Sequence, residues 1–171
     1  MAGRGMSASP LPEQRRAGTP DASIWVAASA GAGKTKVLVD RVLGLLLAGS
    51  QAHRILCLTF TRAAAAEMAN RIRDELGEWA VGQDGAVDAK IAGITGTAPD
   101  DGTRRRARRL FAEVLDAPGG MKIQTIHSFC ESVLGRFPLE AGLAPHFDVM
   151  DERTAAEAMH AARETVLLQA Q

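Results

Sequence analysis

The sequence has 171 residues, enough for one domain with a hydrophobic core but few for a motor enzyme built from two such domains. Basic and acidic residues number 20 each, so the overall charge indicates neither a nucleic-acid nor a membrane partner. Any contact with DNA would therefore depend on where individual charges lie. No segment resembles a signal peptide or a membrane span, which predicts a soluble intracellular protein.

The two cysteines, Cys57 and Cys130, lie in apolar segments and lack the spacing of a metal site. This placement favours two buried thiols in a reducing compartment over a zinc site or a disulfide.

The amino-terminal region is expected to contribute little to the core. Residues 1–10 are small and polar, which predicts a disordered tail. Residues 11–17 are consistent with a short helical turn ahead of the first strand, and Gln14 is the one residue in it with a specific candidate role. Its side-chain amide can pair with the N6 and N7 edge of adenine, although an ordinary surface glutamine is the alternative.

The strongest motif is typical of a phosphate-binding P-loop with alanine in place of the usual first glycine. Its residues are Ala28, Ser29, Ala30, Gly31, Ala32, Gly33, Lys34 and Thr35. The apolar residues 24–28 before it predict a strand, and the periodicity of residues 36–48 predicts a helix. A strand-to-helix junction is the context that a P-loop requires.

The residue types in this loop suit a nucleotide triphosphate. Gly31 and Gly33 have no Cβ, so the backbone can turn several N–H groups toward one anion beside a helix N-terminus. Lys34 can reach the β- and γ-phosphates, and the Thr35 hydroxyl is suited to bind the accompanying Mg²⁺. A small-residue turn that caps an ordinary helix is the alternative, and the spacing and flanking elements favour the P-loop.

Residues 54–59 form a continuous apolar run of strand length, which predicts a parallel strand covered on both faces. Thr59, Phe60 and Thr61 follow at its carboxyl end, ahead of an alanine-rich helix whose apolar positions recur at helical spacing. Hydroxyls and small residues in this position can hold a phosphate backbone, whereas a simple helix N-cap is the competing interpretation.

The middle of the chain is predicted to leave the core and return. Residues 80–102 are rich in glycine and aspartate, with one short helix marked by Val87, Ile91 and Ile94. Five arginines then lie between residues 104 and 109, on an amphipathic helix whose other face is apolar. The pattern favours a solvated charged face over a phosphate-binding stripe.

Residues 121–125 predict a third short strand, and residues 126–137 predict a helix with a continuous apolar stripe. Thr125, His127 and Ser128 gather at the junction, without an acid or nucleophile spaced to complete a triad. A histidine in this position is usually satisfied by a neighbour.

Asp151 and Glu152 follow a short apolar segment and invite comparison with the Walker B acids that hold Mg²⁺. The segment is short and interrupted by Asp148, so we favour Asp151 as the N-cap of a last helix. That helix reaches residue 171 without a stop signal, which predicts a truncated segment.

Four segments, in order along the chain, resemble motifs of the UvrD/Rep-type helicases of superfamily one. They are Gln14-x-x-Ala17, Ala-Gly-Ala-Gly-Lys-Thr at 30–35, Leu-Thr-Phe-Thr-Arg-Ala-Ala-Ala-Ala-Glu-Met at 58–68, and Thr-Ile-His-Ser-Phe-Cys at 125–130. Three further stretches are most similar to the AddA branch, the helicase-nuclease subunits of bacterial double-strand-break repair. They are Gly-Glu-Trp at 77–79, Pro-Gly-Gly at 118–120 and Arg-Phe-Pro-Leu-Glu-Ala-Gly at 136–142.

The resemblance implies an α/β fold of the RecA-like P-loop class, with a parallel sheet flanked by helices and an incomplete first motor domain. Residues 11–150 would be part of the ATP-binding domain, and residues 151–171 the start of a truncated helical subdomain. Gln14 would read adenine, residues 28–35 would hold ATP, and Thr35 would hold Mg²⁺. Single-stranded DNA would contact Thr59, Phe60, Thr61, Thr125, His127 and Ser128.

The resemblance also implies an ATP-dependent DNA helicase of the bacterial cytoplasm that works on single- and double-stranded DNA together with an AddB-type partner. The Walker B acids, the arginine finger and a nuclease domain would lie further along a longer protein, so this segment alone is expected to be inactive. A small P-loop phosphotransferase and a fragment that only binds nucleotide are the rival interpretations.

Overall fold

The structure is a computed structural model that describes residues 12–27, 31 and 33–169. The expected disordered tail, residues 1–10, lies outside the described residues. The chain divides into two compact units, residues 1–125 and 126–171, and each is described by itself.

The described elements are mostly helical, with one small parallel sheet. The helices are α1 (Pro12–Gly18), α2 (Lys34–Leu47), α3 (Arg62–Val81), α4 (Asp84–Thr95), α5 (Asp101–Leu115), α6 (Ile126–Arg136) and α7 (Glu152–Gln169). A 3-10 turn, Ala52–Arg54, precedes strand β1 (Leu56–Thr59), and strand β2 (Lys122–Thr125) follows α5.

The first unit has a hydrophobic core between the helices and one face of the sheet. Its buried members are Val39, Val42, Leu43, Leu46, Ala52, Ile55, Met68, Ile72, Leu76, Trp79, Val87, Ile91, Ala107 and Leu110. Burial of each valine, leucine, isoleucine or methionine side chain of this core contributes roughly 1.5–3 kcal/mol. The helices predicted after the P-loop, after Thr61 and at the arginine-rich stretch are confirmed as α2, α3 and α5.

Strands β1 and β2 pair in parallel, with Leu56 opposite Lys122 and Thr59 opposite Thr125. Cys57 and Ile123 lie on the face that packs against the core. Leu56 and Leu58, on the other face, are exposed. The expectation that this strand is covered on both faces is therefore wrong for the described residues, because helices of the first unit pack on one side only.

The predicted strand at residues 24–28 is not present over residues 24–27, which have irregular structure. Ile24 and Val26 are partly exposed, and Trp25 is 92% exposed. In the described part of the chain the sheet contains only β1 and β2, paired to each other. An extended segment needs a neighbouring strand for its backbone hydrogen bonds, so the apolar composition alone did not produce a strand here.

Helix α4 corrects the expectation that residues 80–102 leave the core. It is 12 residues long, and Val87 and Ile91 are buried with the side chains of α2 and α3. Lys90 ties the helix to α3 through ion pairs with Glu75 and Glu78. The glycine on each side of the helix has a local reason. A Cβ at Gly82 would lie 2.6 Å from the Glu78 carbonyl oxygen, and Gly96 ends α4 at a positive φ of 79°.

The prediction that the arginines of α5 form a solvated face is wrong for three of them, which bind other groups of the first unit. Arg106 donates to the Leu46 carbonyl at the end of α2, at 3.2 and 3.0 Å. Arg108 donates to the carbonyls of Ala80 and Gly82 at the end of α3 and pairs with Asp84. Arg104 pairs with Asp88 of α4, and its hydrogen bond lowers the pKa of that carboxyl. Three of the five arginines thus satisfy backbone or acidic groups inside the first unit.

The second unit contains α6, a turn and α7. The apolar stripe predicted for α6 is formed, yet none of the described side chains between residues 126 and 169 is buried. Asp151 accepts a hydrogen bond from the Thr154 N–H at 2.7 Å, which confirms it as the N-cap of the last helix. Cys130 is exposed, so the prediction of a buried thiol is wrong there, whereas Cys57 is half-buried and burial raises its pKa.

Candidate nucleotide and nucleic-acid site

The described part of the P-loop has the backbone that its glycines predict. Gly31 has a φ of 80° and Gly33 a φ of 78°, both in the left-handed region that disfavours side chains. No atom would meet a Cβ at Gly31, so the backbone conformation, rather than crowding, is what calls for glycine there. Ala28, Ser29, Ala30 and Ala32 lie outside the described residues.

Gly33 is the N-cap of α2, and Lys34 and Thr35 stand in its first turn. Gly33 provides no side-chain cap, and no acidic residue occurs in that turn. The positive end of the helix dipole therefore faces the loop without a carboxylate of the first turn to offset it, which suits an anion. Lys34 is exposed, and Thr35 is half-buried.

Burial of α2 fixes the position of this turn. Val37, Val39, Val42, Leu43 and Leu46 are all buried, so the helix cannot shift without disturbing the core. The loop is consequently attached to a rigid element, and the residues present fit a bound triphosphate.

A cleft of about 610 Å³ lies between α1 and the segment that leads into the loop. Its lining includes Glu13, Arg16 and Trp25. Gln14, the predicted adenine-reading residue, belongs to α1, whose helical backbone agrees with the predicted turn over residues 11–17. The structure does not describe the Gln14 side chain.

Sequence reasoning missed Arg41, a residue of α2 that holds this region together. Its guanidinium donates to the carbonyls of Ala17 and Thr19 with one nitrogen and to that of Ala22 with the other. The available signal was the sequence of α2 itself, where Asp40 and Arg41 interrupt an apolar run that extends from Val37 to Leu47.

The carboxyl edge of the sheet brings together four of the residues with predicted DNA contacts. Thr59 and Thr125 are register partners at the ends of the two strands, and Thr125 is buried. Phe60 follows β1 and is 87% exposed. Thr61 caps α3 by accepting the Ala64 N–H at 3.1 Å, and its carbonyl accepts from the Thr59 hydroxyl at 2.9 Å. The N-cap interpretation of Thr61 is therefore confirmed, and its predicted contact with DNA stays a prediction.

His127 and Ser128 lie in the first turn of α6, in the second unit. His127 is exposed, and Ser128 is half-buried. Both residues belong to the second unit, and their predicted contacts with DNA stay predictions.

The Asp151 carboxylate caps α7, which supports the N-cap interpretation over the Walker B one. The backbone N–H of Thr154 lowers the pKa of this carboxyl. Among the described residues, no three histidine, cysteine, aspartate or glutamate side chains cluster in a way that would hold a metal ion. A magnesium ion at Thr35 therefore stays a prediction that depends on the bound triphosphate. The described helices also include none with the length and apolar character needed to span a bilayer.

Comparison with known proteins identifies the family of this chain. Residues 11–170 match the UvrD/REP helicase N-terminal domain. The chain is 38% identical over 134 residues to the A subunit of the ATP-dependent helicase/nuclease of Lactobacillus gasseri, which covers 78% of this chain and 9% of that protein. It is 36% identical over 143 residues to the protein of the same name from Exiguobacterium sibiricum, covering 82% and 10%.

The corresponding protein of Heliobacterium modesticaldum is 35% identical over 136 residues, which covers 80% of this chain and 8% of that relative. The chain thus spans about a tenth or less of the length of the curated relatives it matches. With a match over nearly its whole length, the chain belongs to the UvrD/REP helicase N-terminal domain family.

Proposed function

We propose that this chain is the nucleotide-binding part of the first motor domain of an ATP-dependent DNA helicase of the AddA type. The observation that carries the proposal is the glycine-rich turn at the start of α2, with Lys34 and Thr35 in the first turn of a helix buried along its length. Its fold would be the RecA-like P-loop class that the family implies.

In the proposed site the backbone of the loop and the start of α2 bind the β- and γ-phosphates of ATP. Lys34 places a positive charge on these phosphates, where negative charge increases as the terminal phosphoryl group leaves. Thr35 contributes a hydroxyl toward the Mg²⁺ that accompanies ATP and offsets phosphate charge when bound. Gln14 reads the adenine edge from α1.

We further propose that single-stranded DNA contacts Thr59, Phe60, Thr61 and Thr125 at the carboxyl edge of the sheet in the first unit. His127 and Ser128, in the first turn of α6, are proposed DNA contacts of the second unit. The exposure of Phe60 supports this assignment, because a bare ring directly after a strand offers a stacking surface for a base. Stacking of this kind contributes about 1–3 kcal/mol per base.

The arginine-rich helix α5 is a weaker candidate for DNA binding, because Arg104, Arg106 and Arg108 already bind groups of the first unit. In the full-length protein the activity would be 3′-to-5′ unwinding in double-strand-break repair, together with a partner of the AddB type. The relatives' name, which describes one component of an ATP-dependent helicase/nuclease, supports this proposal.

Calorimetric titration of the full-length protein with Mg-ATP tests the nucleotide site. Lys34→Ala should abolish detectable binding, since it removes a charge-assisted contact to the phosphates. Lys122→Ala is the matched control, because this lysine is exposed at the opposite, amino-terminal end of β2 and should leave the affinity unchanged. Equal affinity of the parent and Lys34→Ala would refute the P-loop assignment.

A further inference from the structure

Arg41 of α2 donates three hydrogen bonds to backbone carbonyls between residues 17 and 22. Its Nη1 donates to the Thr19 carbonyl at 2.6 Å and to the Ala17 carbonyl at 3.4 Å, and its Nη2 donates to the Ala22 carbonyl at 2.7 Å. The planar guanidinium carries donors on two terminal nitrogens in a fixed fork, so one side chain can donate to carbonyls that lie in different directions.

The three acceptors connect the two sides of the cleft described above. Ala17 lies near the end of α1, Thr19 lies in the turn after it, and Ala22 begins the segment that leads into the P-loop. All three residues line the cleft of about 610 Å³. A single side chain of α2 therefore fixes both its walls.

Helix α1 also touches α2 directly. A Cβ added at Gly44 would lie 3.5 Å from the Gly18 carbonyl, so the end of α1 rests on the surface of α2 at that glycine. The segment between Gly18 and the loop has no regular secondary structure of its own over the described residues. The hydrogen bonds of Arg41 to Thr19 and Ala22 therefore attach the start of this irregular segment to α2.

We propose that Arg41 is a positioning residue for base recognition, which holds α1 and its Gln14 at a fixed distance from the phosphate loop. This inference rests on the proposed function of the loop. Arg41 stands seven residues after Lys34, two turns along the same buried helix. It therefore attaches α1 to the helix whose first turn binds the phosphates. A base and its triphosphate belong to one ligand, so a displaced α1 weakens base contacts while the phosphate contacts remain.

The test measures the affinities of the full-length protein for Mg-ATP, Mg-GTP and inorganic triphosphate by calorimetry. Arg41→Ala should lower the preference for ATP over GTP by about three- to tenfold, the loss expected from one hydrogen bond. Its affinity for inorganic triphosphate should stay within about twofold of the parent, since Lys34 and the loop are untouched.

Two further variants separate positioning from general structural support. Arg106→Ala is the matched control, because Arg106 also donates to a backbone carbonyl but binds α2 rather than α1, and it should keep the parental preference. The double variant Gln14→Ala with Arg41→Ala should show no greater loss of preference than Gln14→Ala alone, as expected if Arg41 acts through Gln14.

An unchanged ATP-to-GTP ratio in Arg41→Ala overturns the inference, and so does a triphosphate affinity that falls as far as the ATP affinity. The inference is also overturned if the parent binds ATP and GTP equally well, or if Gln14→Ala keeps the parental ratio of the two affinities. If Arg41→Ala does not fold, Arg41→Lys decides: its point charge cannot span three carbonyls, and a parental ratio would refute the role. Failure of the proposed function is distinct, since Lys34→Ala would then bind ATP like the parent.

Discussion

The two units of this chain differ in whether the apolar faces of their helices are buried. In the first, fourteen of the described side chains are buried in one cluster, contributed by helices α2 to α5 and by the residues just before β1. In the second, α6 and α7 carry apolar residues at comparable helical spacing, yet none of their described side chains is buried. The contrast teaches that periodicity predicts a helix and its apolar face, whereas the partner for that face depends on the rest of the fold.

The largest difference between the units should appear when the same side chain is truncated in each. Leu76 of α3 is 1% exposed and Leu168 of α7 is 73% exposed. We expect Leu76→Ala to lower the free energy of unfolding by about 2–5 kcal/mol, because a buried cavity results. Leu168→Ala should stay within about 0.5 kcal/mol.

Urea denaturation of the two leucine variants, monitored by tryptophan fluorescence, measures both effects. Equal losses for Leu76→Ala and Leu168→Ala would mean that α7 is packed as tightly as α3, which would contradict the comparison.

The arginines of α5 sharpen the comparison within one helix. Arg108 donates to the carbonyls of Ala80 and Gly82 at the end of α3, whereas Arg109 is exposed and lies 4.0 Å from Glu113. Arg108→Ala should cost about 1–2 kcal/mol of unfolding free energy, discounted for partial exposure, because it leaves these carbonyls without a donor. Arg109→Ala should have almost no effect.

Thermal unfolding of these two arginine variants, at the same salt concentration, gives the comparison directly. Arg108→Ala unfolding at the temperature of Arg109→Ala would show that all of these arginines belong to a solvated face after all.

The smallest expected effect concerns two aspartates that cap helices, one in each unit. Asp100 accepts the Thr103 N–H at 2.7 Å, and this hydrogen bond lowers the pKa of its carboxyl below the ordinary value of 3.8. Its stabilising contribution is therefore complete above pH 3.8 and is lost as the pH falls through the lower, folded-state value. Asp100→Asn should keep a cap at neutral pH and make the acid-induced loss of stability shallower.

Asp151 caps α7 in the same manner, and its pKa is lowered for the same reason. Because α7 buries no described side chain, Asp151→Asn should alter the far-UV circular dichroism of the helix in acid without moving the main unfolding transition. A shift of that transition by Asp151→Asn as large as the one caused by Asp100→Asn would remove the distinction between the units.

Local signals in the sequence were sufficient for the main helices and for two of the caps, Thr61 and Asp151. Thr61 and Asp151 were recognised as N-cap candidates because each precedes an apolar-periodic run, and both accept the N–H three residues later. The turn at Gly31 and Gly33 could also be predicted locally, because glycine is the residue that most readily adopts the positive φ found at both positions.

Features that depend on distant parts of the chain could not be predicted in this way. Residues 24–27 have the composition of a strand, but pairing requires a neighbour that their own sequence does not specify. Arg106 and Arg108 look like a charged surface in sequence, because the carbonyls that they satisfy belong to α2 and α3. The contacts of Arg41 span 19 to 24 residues, beyond the reach of any periodic pattern.

We propose that the phosphate loop and the carboxyl edge of the sheet belong to one ATPase that responds to DNA. The most direct test is the rate of phosphate release by the full-length protein at saturating Mg-ATP, with and without single-stranded DNA. We predict that DNA raises the rate, and that Phe60→Ala raises the DNA concentration for half-maximal stimulation by about fivefold or more, as the loss of one stacked base requires. The same rate of phosphate release with and without DNA would contradict the account and favour a phosphotransferase.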